Sequence, residues 1–454
     1  MVDYEEELDR YLDEIKELAR SKQYARLRDL FLPMEPADIA LLLEESGGEL
    51  MPLLYRLLPK ELAAEVFVEL ESDSQEMLIS GFSNTELKEV LDELYLDDAV
   101  DIVEEMPASV VIRILDKATP EMRKSINEIL KYPEDSTGSI MNMEFLSLKK
   151  DMTVEDAFKR IRRIGGELET INILYVTDPT RRLLGVLSVR DLLLAEEDDL
   201  IEDIMDPNVV WVSTMDDKED AAQALSKYGF LAMPVVDLEN RLVGIVTVDD
   251  AMDVIEEETT EDFEKMAMLH PSDDNYLKTG VFKLAKNRIL WLLVLMVSAT
   301  FTGKIIENYE NMLAAVAGLT ACIPMLMDTG GNAGNQVSTL IIRGLALGEI
   351  HPKDYLKIVF KEIRVALICG LTLAAVNIGR MMLFSSGGMP VYLVVSAAMV
   401  CAVIVAKIIG CTLPIIAKMI KLDPALMAGP MITTIVDMVT LLIYFALAKA
   451  FLAI

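Results

Sequence analysis

Pro324-Met-Leu-Met-Asp328-Thr-Gly-Gly-Asn332-Ala-Gly-Asn335-Gln336 sets three glycines, an acid and three amides inside an otherwise apolar stretch. Such polarity at membrane depth is tolerated only against protein or a wet cavity. Two readings stand. Gly330, Gly331 and Gly334 let a neighbouring helix approach closely, or Asp328, Gly331, Asn332 and Gln336 line a pore. Outward from this run lie five apolar segments, near 289–306, 312–347, 365–384, 391–417 and 425–452. About 20 apolar residues cross the ~30 Å hydrocarbon core as a helix. One such segment fits a buried helix of a soluble protein; five in succession predict an integral membrane protein.

Lys and Arg at the span ends set the predicted orientation. Lys283, Lys286 and Arg288 precede the first span, and Arg343, Lys353, Lys357, Lys361 and Arg364 surround the loop between the second and third. Lys418 and Lys421 follow the fourth, whereas the opposite side has Lys304, Arg380 and Lys449. The positive-inside rule then places a multi-pass protein in the inner or plasma membrane, N-terminus cytoplasmic and C-terminus outside. Asp437 sits mid-span, where a charge is costly and usually functional. It reads as a cation site or as a carboxylate paired with Lys407. A carboxylate and amide pore suits a hard ion such as Mg2+, which gives up water reluctantly. One Asp437 per chain is meagre for a divalent ion; a two-fold homodimer would bring two to one axis.

Charge divides at the same place. The 454 residues carry a net −32. Residues 1–286 hold 66 of the 74 acids and 30 of the 42 bases, a net −36; the remainder holds 8 and 12, a net +4. So acidic a surface excludes nucleic acid as partner and calls for divalent cations. Cys322, Cys369, Cys401 and Cys411 form no CxxC pair, and His270 and His351 are the only histidines, which excludes a zinc ribbon or HExxH site. The start, Met1-Val-Asp-Tyr-Glu-Glu-Glu, lacks the pattern of a signal peptide. No activated nucleophile or acid/base pair emerges, so no enzyme is expected.

Within the acidic part, Arg182-Leu-Leu-Gly-Val-Leu-Ser-Val-Arg-Asp191 repeats 59 residues later as Arg241-Leu-Val-Gly-Ile-Val-Thr-Val-Asp-Asp250. Tyr175-Val-Thr-Asp178 likewise matches Pro234-Val-Val-Asp237. Each copy reads strand, turn, strand, helix, and the repeat predicts two homologous units packed together. Both copies look like CBS domains. In that family the Ser/Thr-x-x-Asp turn often binds a nucleotide ribose, which nominates Ser188, Arg190, Asp191 and Thr247, with Asp250, for a ligand such as ATP. The other reading makes Ser188 and Thr247 helix N-caps. Ahead of the repeats, residues 1–131 read as short amphipathic helices punctuated at Pro36, Pro59, Ser83, Pro107 and Pro120. Acids cluster at helical spacing around Asp97, Asp98, Asp101, Glu104 and Glu105, and from Asp249 to Asp262. Each such run alone reads as a solvated face. A dimer with this much charge repels itself unless cations screen it. Asn275 to Arg288 turns basic and amphipathic, like an interfacial helix feeding the first span.

The whole order resembles the MgtE family of magnesium channels. Its most specific pieces are Thr329-Gly-Gly-Asn-Ala-Gly-Asn-Gln336 with Leu340-Ile-Ile-Arg343, and Asp423-Pro-Ala-Leu-Met-Ala-Gly-Pro430 with Asp437. The resemblance implies an all-α superhelical N domain at 1–132 and α/β CBS units at 133–200 and 201–258. A connecting, or plug, helix at 259–288 and a five-helix α transmembrane pore domain at 289–454 follow. It implies a homodimer passing Mg2+ passively at Asp437 and closing when cytosolic Mg2+ binds. The matching acids are Glu65, Asp97, Asp101, Glu219, Asp250, Asp253, Glu258 and Glu261. Three positions depart from similar members. Gly229 replaces a sensor Asp, Ile173 an adenine-stacking aromatic, and Gly429 an Asn at the pore mouth. The alternatives are a cation-coupled carrier for Mg2+, Co2+ or Mn2+, and a CBS-based membrane sensor without transport.

Overall fold

The computed structural model describes all residues except 1, 273–275, 278, 317, 385–387 and 453–454, and leaves the side chains of 2–7 and 167 undescribed. The chain forms two compact units, 1–255 and 256–454.

The first unit opens with ten helices: α1 Val2–Arg20, α2 Tyr24–Phe31, α3 Pro36–Glu45, α4 Met51–Tyr55, α5 Lys60–Val68, α6 Ser72–Gly81, α7 Asn84–Leu91, α8 Leu96–Glu105, α9 Ala108–Lys117 and α10 Pro120–Ile129. Their starts follow local chemistry. Pro36 and Pro120 occupy the first helical position, where a missing N–H costs nothing. Pro59 and Pro107 stand at N-caps of α5 and α9. Ser83 and Glu86 close a capping box on α7, a device that contributes about 1 kcal/mol. Leu, Ile and Phe side chains, among them Phe31, Leu54 and Phe67, fill the interior.

Two three-stranded sheets follow. The first unites β1 (Phe145–Lys149), β2 (Thr170–Thr177) and β3 (Leu183–Ser188), with α11 (Val154–Ile164), α12 (Val189–Leu194) and α13 (Ile201–Ile204). The second unites β4 (Val212–Ser213), β5 (Ala232–Val236) and β6 (Leu242–Thr247), with α14 (Lys218–Tyr228) and α15 (Val248–Met266). In both, the first two strands run parallel and the last two antiparallel. The units are cross-stitched. Asn142 bridges Ile245 of β6, Asp206 bridges Val186 of β3, and Arg182 bridges Arg241. Gly185 and Gly244, equivalent in the repeat, permit this. A Cβ on Gly244 would lie 2.9 Å from the Asn142 carbonyl oxygen, and one on Gly185 3.0 Å from that of Asp206.

The second unit contains α16 (Val281–Asn308), α17 (Glu310–Ala315), α18 (Leu319–Ala346), α19 (Tyr355–Phe384), α20 (Met389–Met419) and α21 (Gly429–Leu452). Five of these are long, and among the described residues four spans are long and apolar enough to cross a membrane. The remaining long helix is α18, whose polar run lowers its hydropathy. Gly318, in the left-handed region at φ 95°, separates α17 from α18 within the expected 312–347 span. The expected plug helix is not continuous over 259–288: α15 ends at Met266 and α16 begins at Val281. Pro271, which disfavours helix in the residue before it, lies between them. Val281 to Arg288 forms the first turns of α16 rather than a separate interfacial helix; Asn275 lies outside the described residues.

Candidate functional site

Carboxylates from distant parts of the first unit converge on α8. The start of α8 supplies Asp97, Asp98 and Asp101. Glu144 and Glu169 stand just before β1 and β2, whose ends Phe145 and Thr170 pair in parallel, and the Glu169 amide donates to the Glu144 carbonyl at 3.1 Å. Glu144 Oε2 accepts the Leu96 amide at 3.3 Å, at the N-terminus of α8. Asp250 follows β6, and its Oδ2 accepts from the Thr247 hydroxyl and, at 3.3 Å, from the Thr247 amide. Asn142 joins the group. Its Nδ2 donates to Asp97 Oδ2 at 2.9 Å and to Glu169 Oε2 at 3.2 Å.

Burial and mutual repulsion disfavour ionisation here. Burial, then the Asp97 charge, pushes Asp98 and Asp250 up to about 7 and Glu169 up to about 8. Glu144 rises to about 6, chiefly from burial. Burial also raises Asp97, against the opposing Asn142 hydrogen bond. Asp101 is raised by the same two causes, yet it keeps an exposed face, where solvent screens it more. Among the described residues, no group of three or more His, Cys, Asp or Glu closes to metal-ligating distance.

Thus Asp97, Asp101 and Asp250 come together with Asp98, the clustered neighbour of Asp97, and Glu144 and Glu169 join them unforeseen. The other expected acids stand elsewhere. Glu65 is exposed on α5 and Asp253 is exposed on α15. Glu219, on α14, accepts from Gln223 at 2.9 Å. Glu258 lies midway along α15, and Glu261 pairs with Lys265 at 2.6 Å. Lys265 also holds Asp423 at 2.7 Å. Burial works against the Lys265 ammonium, but its bonds to Asp423 and Glu261 outweigh this and raise its pKa. Burial and the Asp423 charge raise nearby Asp262 to about 6. The end of α15 therefore docks beside the turn that leads into α21. Gly429 opens α21 at φ 50°, and a Cβ there would lie 2.5 Å from the Met266 carbonyl oxygen.

On α18 the two faces divide the earlier readings. Gly330, Gly331 and Gly334 are buried under α21: a Cβ on each would meet Thr440 Oγ1 at 2.9 Å, Thr433 Cγ2 at 3.0 Å and Ile432 Cγ2 at 2.9 Å. Gly331 is thus a packing residue within the chain. On the other face Asp328, Asn332 and Gln336, spaced by four, are exposed. Asn332 Nδ2 donates to Asp328 Oδ1 at 3.1 Å. Asp437, half-buried on α21, interacts electrostatically with Asp328. Its suggested partner Lys407 is engaged otherwise, with Glu362 at 3.4 Å, both ends largely buried.

The nucleotide candidates are mixed. Ser188 caps α12 by accepting the Asp191 amide at 3.1 Å, and donates to Asp191 Oδ2 at 2.5 Å. Arg190 and Asp191 are exposed. Thr247 is occupied with Asp250.

An acid-rich helical domain, a CBS pair and a polar-striped helical bundle define a multi-pass membrane protein of the cation-transporter class. Sequence comparison agrees: residues 34–135 match the MgtE intracellular N domain, 138–198 and 201–257 the CBS domain, and 323–447 the MgtE divalent cation transporter domain. The magnesium transporter MgtE of Thermus thermophilus is 37% identical over 431 residues, 94% of this chain and 95% of its own. That of Bacillus subtilis is 31% identical over 435 residues, 96% of each. The crystal structure of the cytosolic domain of the Mg2+ channel MgtE in complex with ATP matches 54% of this chain and 99% of its own, at 37% identity and a TM-score of 0.51. The chain belongs to the MgtE family of magnesium transporters.

Proposed function

We propose that this protein is a homodimeric channel for passive Mg2+ uptake, with Asp437 in the pore and the acid cluster as the closing element. The observation that carries the reading is the exposed stripe Asp328, Asn332 and Gln336 on α18, a long helix packed against the apolar spans α20 and α21. Side chains of this kind at membrane depth need water or a polar partner. A hydrated Mg2+ needs a polar wall that does not strip its shell. Two Asp437 side chains across a two-fold axis would offset its charge.

Closure follows from repulsion. Docking α8 onto the CBS pair forces six carboxylates together, which a cation must offset. Cytosolic Mg2+ binding preferentially to the docked state shifts the population toward it. Acids on α15, with Glu219, Asp253, Glu258 and Glu261, would carry the same response to the pore mouth. Glu65 belongs to the same set by resemblance. A nucleotide ribose would sit at Ser188 and Asp191, with Arg190 free to meet phosphates. Mg2+ uptake into proteoliposomes tests the pore: Asp437→Ala should remove it. Uptake unchanged by that substitution would refute the pore assignment, and a dependence of wild-type flux on a pH gradient would favour the coupled carrier.

A further inference from the structure

We infer that Asn142 is a positioning residue, the neutral spacer that sets how much cation the acid cluster needs before it closes. The inference rests on the cation-closed reading given above.

Asn142 is fully buried, and its side chain uses both of its amide hydrogens and its oxygen. The two N–H groups go to Asp97 Oδ2 at 2.9 Å and Glu169 Oε2 at 3.2 Å, while Oδ1 accepts the Glu144 amide at 2.6 Å. Only one amide orientation is consistent with these partners. The flipped form would set oxygen against two carboxylates and NH2 against an N–H donor. The backbone is equally fixed. Asn142 N–H and C=O both pair with Ile245, each at 2.8 Å, beside Gly244, where a Cβ would lie 2.9 Å from the Asn142 oxygen. Three modules therefore meet on one residue: its side chain joins α8 of the helical domain to the strand starts of the first CBS unit, and its backbone pairs with β6 of the second.

The chemistry gives this amide a particular task. A buried neutral donor lets two carboxylates approach without a full positive charge between them. It stabilises docking partway and leaves the residual repulsion to a cation. An acid at the same position, nearly identical in shape, would replace two donors by added negative charge. Docking would then demand more Mg2+.

The test uses the full-length protein in detergent, following protease resistance of its acidic part against Mg2+ concentration, with melting temperature measured at saturating Mg2+. Asn142→Asp should raise the half-protecting Mg2+ concentration at least ~10-fold, a change of about 1.4 kcal/mol, while the melting temperature at saturation stays near wild type. Asn142→Ala should shift it in the same direction by less, because it removes the donors without adding charge. An unchanged or lowered midpoint in Asn142→Asp overturns the proposal. So does a clear loss of melting temperature at saturating Mg2+, which would mark a merely structural residue. If the wild type itself shows no Mg2+-dependent protection, the cation-closed reading fails, and this proposal with it. A wild-type response that Asn142→Asp does not move sinks the proposal alone.

Discussion

In the acidic unit Asp97, Asp98, Asp101, Glu144, Glu169 and Asp250 crowd together, two of them on one buried amide and most of them at least partly shielded from solvent. In the membrane unit half-buried Asp437 feels Asp328, which shares an exposed stripe with Asn332 and Gln336. On the proposed function both places would attract cations, but for opposite ends. The crowded acids destabilise one another when ionised, so a cation that arrives there changes which arrangement of modules is preferred. The stripe sets two neutral amides beside two acids, so an ion there would keep its water and leave again. Carboxylate number and desolvation would thus separate the proposed regulatory site from the proposed permeation site in one chain.

Substitutions that silence one place and spare the other break this comparison most directly. Asp437→Ala should lower Mg2+ uptake at least ~10-fold, because it removes a charge from the membrane interior, while Mg2+-dependent protease protection stays as in the wild type. Loss of both together would show that one site serves both tasks. The converse pair, Asp97→Asn with Asp101→Asn, should leave the conductance of the open pore intact. Neutralising these acids removes both the repulsion and the charge that binds the cation, so the ratio of flux at low Mg2+ to flux at high Mg2+ should shrink roughly 5–150-fold, the usual span of coupling between sites. Patch recording or fluorescent Mg2+ uptake with controlled Mg2+ on the acidic-unit side measures it.

Protons should act as a weak substitute for the cation. Asp98, Asp250 and Glu169 have pKa values of about 7, 7 and 8 in the docked arrangement, against ordinary values of 3.8 and 4.5. The docked state therefore binds more protons than the separated one. Docking loses stability as pH rises from about 4 and has lost the full contribution above about 8. Without Mg2+, protease protection should strengthen as pH falls through this window. With saturating Mg2+ the dependence should flatten. Protection that strengthens toward alkaline pH would contradict the sign.

Much of this was legible where physics is local. Pro36, Pro59, Ser83, Pro107 and Pro120 each begin a helix because capping and the missing proline N–H act within a few residues. The 59-residue repeat gives two sheets of equal topology. Asp97, Asp101 and Asp250 were nominated by resemblance and do meet. Glu144 and Glu169 were not, because no helical period links them to α8. The parallel pairing of β1 with β2 brings them side by side, and an acid immediately before each strand was the available signal. Lys407 pairs with Glu362 through the packing of α20 on α19, which spacing along the chain does not encode. The break between α15 and α16 was readable at Pro271, but the basic amphipathic pattern beyond it masked where the helix starts.

The smallest expected effect concerns the link between the two kinds of site. Lys265 holds Asp423 at 2.7 Å, with side chains 20% and 29% exposed, at the turn that feeds α21 and its Asp437. Lys265 also holds Glu261, so the ammonium is shared between its own helix and the pore side. Neutralising it by Lys265→Gln frees both acids and leaves Asp262 facing Asp423 with Lys418 as the remaining nearby cation. A partly exposed pair of this kind contributes up to ~1 kcal/mol, so the closed state should lose at most about a fivefold preference. Single-channel open probability at intermediate Mg2+ should rise by that factor, with conductance unchanged because Asp437 is untouched. Asp423→Asn should do the same or less, since it also relieves Asp262. A change in conductance would place Lys265 in the ion path. A fall in open probability would mean that the pair holds the pore open, reversing the role assigned to the end of α15.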